Sequence, residues 1–185
     1  MQDHEQKTEI ELEQITDASS AKTAFDLASK IWAVCYKDII SQAQIDYMIA
    51  RMYSRETIAA ESSAGTPYYI VKISGRPCGV ISFDSQPDAG GVCVLHKIYL
   101  LPELWGKGLG GRLLARSADA ARESGARALQ LSVNKSNTRA VKAYERAGFA
   151  VKAELTEDIG NGFVRDDYLM EMPLRFQGNE LPAAR

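Results

Sequence analysis

The stretch that most constrains this chain is Val92 to Leu101, a long and almost wholly apolar run. Apolar residues at both odd and even positions describe a central strand covered on both faces. It leads directly into Leu101-Pro-Glu-Leu-Trp-Gly-Lys-Gly-Leu-Gly-Gly-Arg-Leu-Leu114. From about Gly108 to Ser124 the apolar residues Leu109, Leu113, Leu114, Ala118 and Ala121 fall at helical spacing, with Gly125 placed to cap the helix. Ala128 to Val133 returns to strand alternation. A glycine-rich loop between a strand and a helix start lets backbone N–H groups converge where the helix adds partial positive charge. Such a site binds phosphate or pyrophosphate, and Lys107 and Arg112 add charge to it.

The rest of the chain fits around this unit. Glu9 to Ile15 alternates Ile10 and Leu12 with glutamates, as a first strand would. Phe25, Ala28, Ile31, Trp32 and Cys35 recur helically between about Ala18 and Tyr36. Ile45, Met48, Ile49 and Met52 do so from Ser41, a plausible N-cap, to Tyr53. Pro67–Ser74 and Pro77–Asp84 read as strands around a Ser-Gly-Arg-Pro turn. Asn137 to Ala147 is helical and stops at Gly148. Phe149–Leu155 and Asp167–Leu174 are strand-like, separated by a loop that holds Gly160 and Gly162. The reading is an α/β (mixed α+β) fold of about seven strands and about four helices. Residues 1–8 are expected to be disordered, 9–175 to form a single domain, and 176–185 to form a flexible tail.

The loop admits three physical readings. Gly106, Gly108 and Gly111 satisfy G-x-G-x-x-G, but Asn134 and Lys135 stand where a dinucleotide fold needs an acidic residue after the next strand. No Lys-Ser or Lys-Thr follows the glycines, so it is not a Walker A loop. The plainest reading is a structural turn.

Two motifs in order carry a family resemblance. Ile98 to Leu114 closely resembles motif A of the GNAT superfamily of acetyltransferases, whose Q/R-x-x-G-x-G/A loop is matched by Trp105 to Gly110. Trp105 departs from the usual Gln or Arg, yet retains its backbone N–H. Asn134-Lys-Ser-Asn-Thr-Arg-Ala-Val-Lys-Ala-Tyr-Glu-Arg-Ala-Gly-Phe149 resembles motif B. The resemblance implies a GNAT-type mixed, mostly antiparallel sheet. It also implies an acetyl-CoA-dependent N-acetyltransferase, an acyltransferase acting on a primary amine of a small molecule or peptide by direct attack in a ternary complex. It places the cofactor against Ile98, Tyr99, Leu100, Trp105, Gly106, Lys107, Gly108, Leu109, Gly110, Gly111, Asn137 and Tyr144. The strand before the loop would splay from its neighbour, and the Leu100 N–H would meet the acetyl carbonyl. Homodimers are common in such a family.

Two residues stand out as catalytic by the same resemblance. Tyr144, two helical turns after Asn137 and on its face, occupies the place of the general acid toward the CoA sulfur. The competing reading is a core tyrosine packed on Ala140 and Ala147. His96 stands where many members have Glu. A free imidazole titrates near ~6.5 and accepts a proton at neutral pH, so base chemistry is kept. The competing reading is a hydrogen-bonded core histidine. Lys97 and Lys107 are expected to act as electrostatic partners of CoA. Glu157, Asp158, Asp166 and Asp167 cluster around the late hairpin. With Trp32, Tyr36 and the Tyr47–Tyr53 helix, they give a looser similarity to bacterial polyamine-acetylating members. A solvated acidic turn is the alternative.

Composition narrows the remaining classes. The formal net charge of −2 does not suit a dedicated nucleic-acid binder. Cys35, Cys78 and Cys93 lack metal-ligand spacing, so no metal is expected, and they read as reduced thiols of a cytoplasmic protein. No run approaches ~18 apolar residues, and the polar start is no signal peptide, so neither a membrane span nor secretion is expected. A non-catalytic acyl-CoA sensor on the same fold is the alternative to the enzyme.

Overall fold

A computed structural model describes residues 9–174. The expected disordered start and flexible tail lie outside the described residues. Seven strands and five α-helices follow one another along these residues. They are β1 (Ile10–Gln14), α1 (Ala18–Cys35), α2 (Gln42–Met52), α3 (Arg55–Ser63), β2 (Tyr68–Ile73), β3 (Arg76–Phe83), β4 (Val92–Leu100), α4 (Leu109–Glu123), β5 (Ala128–Asn134), α5 (Thr138–Arg146), β6 (Ala150–Gly160) and β7 (Phe163–Pro173). The hydrogen-bonded strand order is β1-β2-β3-β4-β5-β7-β6. β4 and β5 run parallel, whereas β1–β2, β2–β3, β5–β7 and β6–β7 are antiparallel. This is the expected mixed, mostly antiparallel sheet.

The described residues fall into two compact units, one comprising 9–83 with His96–Arg112, the other Asp84–Leu95 with 113–174. In the first unit, α1 begins at a capping box. Asp17 accepts from the Ser20 backbone N–H at 2.7 Å, and Ser20 Oγ accepts from the Asp17 N–H. The helix buries Ala21, Ala24, Leu27, Ala28, Ile31 and Trp32, which pack with Ile45, Ile49, Tyr53, Ile58, Tyr68, Ile70 and Val80. Phe25, counted in the helix's apolar repeat, is exposed. Helix α3 was not expected from the sequence. It buries only Ile58, so its apolar periodicity is nearly silent, although Ser54 caps it by accepting from the Thr57 N–H at 3.0 Å.

In the second unit Leu113, Leu114, Ala118 and Ala121 of α4 are buried as the spacing requires, as are Leu129, Leu131 and Val133 of β5 and Met170 of β7. Strands β6 and β7 run further toward each other than expected. Gly160 pairs with Phe163 around Asn161 and Gly162, whose φ of 57° and 75° form the left-handed pair that a two-residue hairpin turn needs. The three cysteines are free thiols, and Cys78 and Cys93 are buried as small hydrophobes.

Candidate active site

Strand β4 sets the first part of the site. Its registered pairing with β5 covers only three positions, Val92–Val94 opposite Ala128–Gln130. Ile98, Tyr99 and Leu100 lie beyond that register, in the place where the resemblance calls for a splayed strand. Ile98 and Tyr99 are half-buried and Leu100 is buried. Tyr99 packs on Trp32 with ring centroids 5.6 Å apart. β4 is held on its other side by β3: the Leu101 N–H donates to the Cys78 carbonyl at 2.9 Å, and Gly79 lies directly against the Tyr99 carbonyl.

The loop follows through a short 3₁₀ turn, Pro102–Leu104. Gly106 and Gly108 adopt φ of 76° and 74°, the left-handed region that glycine enters without a steric penalty. A Cβ added at Gly106, Gly108, Gly110 or Gly111 would meet nothing within 4 Å beyond its own local backbone and chain neighbours, so the backbone here is open to close approach. Helix α4 then begins at Leu109, and the N–H groups of its first turn lack intrahelical acceptors. Lys107 is exposed at the loop tip, and Leu109 is buried beneath it. Trp105, expected among the cofactor residues, makes two hydrogen bonds within the chain. Its backbone N–H donates to the Pro102 carbonyl at 3.1 Å, closing the 3₁₀ turn, and the indole Nε1 donates to the Leu100 carbonyl at 2.8 Å.

His96 and Lys97 are neighbours with opposite fates. His96 is exposed, not the core histidine of the competing reading. Lys97 is only 5% exposed and does not reach out to a ligand as expected. Its ammonium stands 4.5 Å over the Tyr68 ring and donates to Glu61 Oε2 at 3.2 Å. The Tyr68 hydroxyl donates to the same oxygen at 2.5 Å. Burial pulls the Lys97 amine down from its ordinary value, and the Glu61 carboxylate pulls it back up. Burial, then Glu61, pushes the Tyr68 hydroxyl far up. This cluster joins α3, β2 and β4 through charge-assisted bonds, a pairing across distant sequence that no local spacing reveals.

In the second unit, Asn137 is the N-cap of α5. It is buried, with Oδ1 accepting from the Ala140 N–H at 3.3 Å. Tyr144 is half-buried and meets Phe149 edge-on at 6.0 Å, so it is not a fully enclosed core residue. The late carboxylates divide in use. Asp166 holds Lys135 at 2.7 Å, Glu157 holds Arg165 at 2.6 Å, and Asp158 accepts from the Gly160 N–H at 2.8 Å. Asp167 alone is buried, opposite Asn134 at the end of β5.

Burial pushes the Asp167 carboxyl up to about 6, against the pull of Arg165, whose Nε lies 3.6 Å away. Asp166 and Glu157 push it further up, and Lys135 opposes them. The folded state therefore binds this proton more readily than the unfolded chain. The stability contributed is full below about pH 4 and is lost as pH rises through about 6. Relative to wild type, Asp167→Asn is expected to be more stable at pH 7.5 than at pH 4.5 by about 1–2 kcal/mol in urea unfolding. A difference that does not vary with pH would show that the carboxyl is not held up.

The sequence matches the Acetyltransferase (GNAT) family over residues 26–149. It is 30% identical over 127 residues to the L-amino acid N-acyltransferase MnaT of Escherichia coli, covering 68% of this chain and 73% of that protein. Among solved structures, the fold resembles that of PaiA N-acetyltransferase from Thermoplasma acidophilum, determined in complex with coenzyme A. The TM-score is 0.71 and the identity 22%, over 89% of this chain and 99% of that one. It also resembles a chimera of spermidine N-acetyltransferase SpeG from Vibrio cholerae and hSSAT, with a TM-score of 0.66 and 18% identity, over 89% and 95% of the two chains. With two ordered motifs, a glycine cradle after β4 and a family match over most of its length, the chain belongs to the GNAT family of acetyltransferases.

Proposed function

We propose that the protein moves an acetyl group from acetyl-CoA to the primary amine of a small molecule, with an amino acid as the favoured acceptor. The observation that supports the donor is the loop. Two left-handed glycines and an unobstructed backbone run into the first turn of α4, a cradle suited to a pyrophosphate. Gly106, Lys107, Gly108, Leu109, Gly110 and Gly111 would hold that group. Ile98, Tyr99 and Leu100 would line the pantetheine and acetyl end, with the Leu100 N–H donating to the thioester carbonyl. When bound, acetyl-CoA supplies an activated acyl carbon and a thiolate leaving group.

The chain's own residues manage the protons. The amine nitrogen bonds to the acyl carbon as the carbon–sulfur bond breaks. The exposed His96 takes the proton that the amine loses, and the Tyr144 hydroxyl gives one to the departing sulfur. Amine and donor meet directly, without an acetyl-enzyme: no cysteine lies in the glycine loop or in α5, and Cys78 and Cys93 are buried. The amino-acid acceptor is supported by the 30% identical relative, named for L-amino acids, whereas the spermidine enzyme shares the fold alone.

A thermal-shift series tests the donor. At a hundredfold excess over Kd, acetyl-CoA and CoA are each expected to raise Tm by about 5–10 °C, and NAD to leave it unchanged. Stabilisation by NAD, or by none of the three, would remove this reading.

A further inference from the structure

The loop from Trp105 to Leu109 carries Gly106 and Gly108, both at left-handed φ, so it offers backbone with few side chains to hold it still. Neither glycine, given a Cβ, would come within 4 Å of an atom beyond its chain neighbours, so packing at these two positions does not wedge the loop in place. Two side chains anchor its ends. Leu109 is buried at the start of α4. At the other end stands Trp105, where the resembled motif carries Gln or Arg, half-buried with its indole N–H on the Leu100 carbonyl at 2.8 Å. That carbonyl ends β4, beyond the registered pairing with β5, and needs a donor. The indole N–H is a donor only and needs an acceptor. With the Trp105 backbone N–H committed to Pro102, both of its donors act inside the chain.

We propose that Trp105 is a positioning residue that pre-organises the phosphate loop by tying it to the last residue of β4. The ordering of a flexible loop is then borne by the fold, not by the ligand on binding. The bond also fixes the span between the two ends of the donor's site: Leu100, which meets the acetyl group, and the glycines, which meet the pyrophosphate. The inference rests on the acetyl-CoA reading of the loop given above.

The test compares two donors with a single acceptor. Acetyl-CoA reaches the loop; acetyl-pantetheine, which lacks the pyrophosphate, does not. Trp105→Phe removes the N–H and keeps an aromatic ring. Replacing Trp105 with benzothienylalanine removes the N–H with almost no change of shape, so folding is not in question. Both are expected to raise KM for acetyl-CoA about tenfold, the effect of about one hydrogen bond. KM for acetyl-pantetheine and kcat for both donors are expected to stay within about twofold of wild type. An unchanged KM for acetyl-CoA overturns the proposal, as does an equal rise for both donors, which would be general damage. If wild type itself shows no preference for acetyl-CoA over acetyl-pantetheine, the phosphate reading of the loop fails first, and the proposal falls with it.

Discussion

Tyr144→Phe is expected to lower kcat by about a hundredfold or more, the usual worth of a positioned general acid, with KM for acetyl-CoA and the unfolding midpoint nearly unchanged. The substitution removes one oxygen and leaves the ring's edge-on contact with Phe149 at 6.0 Å intact. It also leaves the α5 cap at Asn137 in place. A loss confined to kcat is the signature of a group that acts in the transition state and not in ground-state binding. The companion variant, His96→Ala, is expected to lose the acidic limb of the pH–rate profile, because the exposed imidazole would no longer be there to protonate. An unchanged kcat in Tyr144→Phe removes the acid, and a retained acidic limb in His96→Ala removes the base.

Gly79→Val should have the largest effect on the fold. A Cβ at Gly79 would stand 2.2 Å from the Tyr99 carbonyl oxygen and 2.8 Å from Leu100 Cδ2. The first of these is backbone, so no side-chain rotation relieves the clash. Either β3 or β4 must move, and β4 would move at the residues proposed to receive the acetyl group. Overpacking a well-filled site commonly costs 1–3 kcal/mol, and a backbone clash lies at the upper end or beyond. Gly79→Val is expected to lose about 3 kcal/mol or more in urea unfolding, and Gly79→Ala somewhat less. A near-wild-type Gly79→Ala would mean that the two strands do not lie this close.

Much of the architecture could be read from local pattern. The α4 stripe of Leu109, Leu113, Leu114, Ala118 and Ala121 is buried as its spacing requires. The Ser-Gly and Gly-Asn-Gly turns sit where positive φ falls, on Ser74 and Gly75 and on Gly160, Asn161 and Gly162. What escaped was of two kinds. Helix α3 and the inner ends of β6 and β7 are too exposed to carry an apolar period, and the β6 pattern is largely solvent-facing. Around the site, contacts with partners distant in sequence, or set by side-chain direction, leave no local pattern. Lys97 sits in an apolar run because Glu61 and Tyr68 receive its charge from other elements. Trp105 could be seen as a departure from the motif, but where its indole points could not.

Release of free CoA thiol from acetyl-CoA across a panel of primary amines tests the account most directly. Turnover with at least one amine is predicted, highest among amino acids, with acetylation of the acceptor nitrogen confirmed by mass. Tight binding of acetyl-CoA without thiol release for any amine would contradict it and leave a protein that holds the donor but does not transfer.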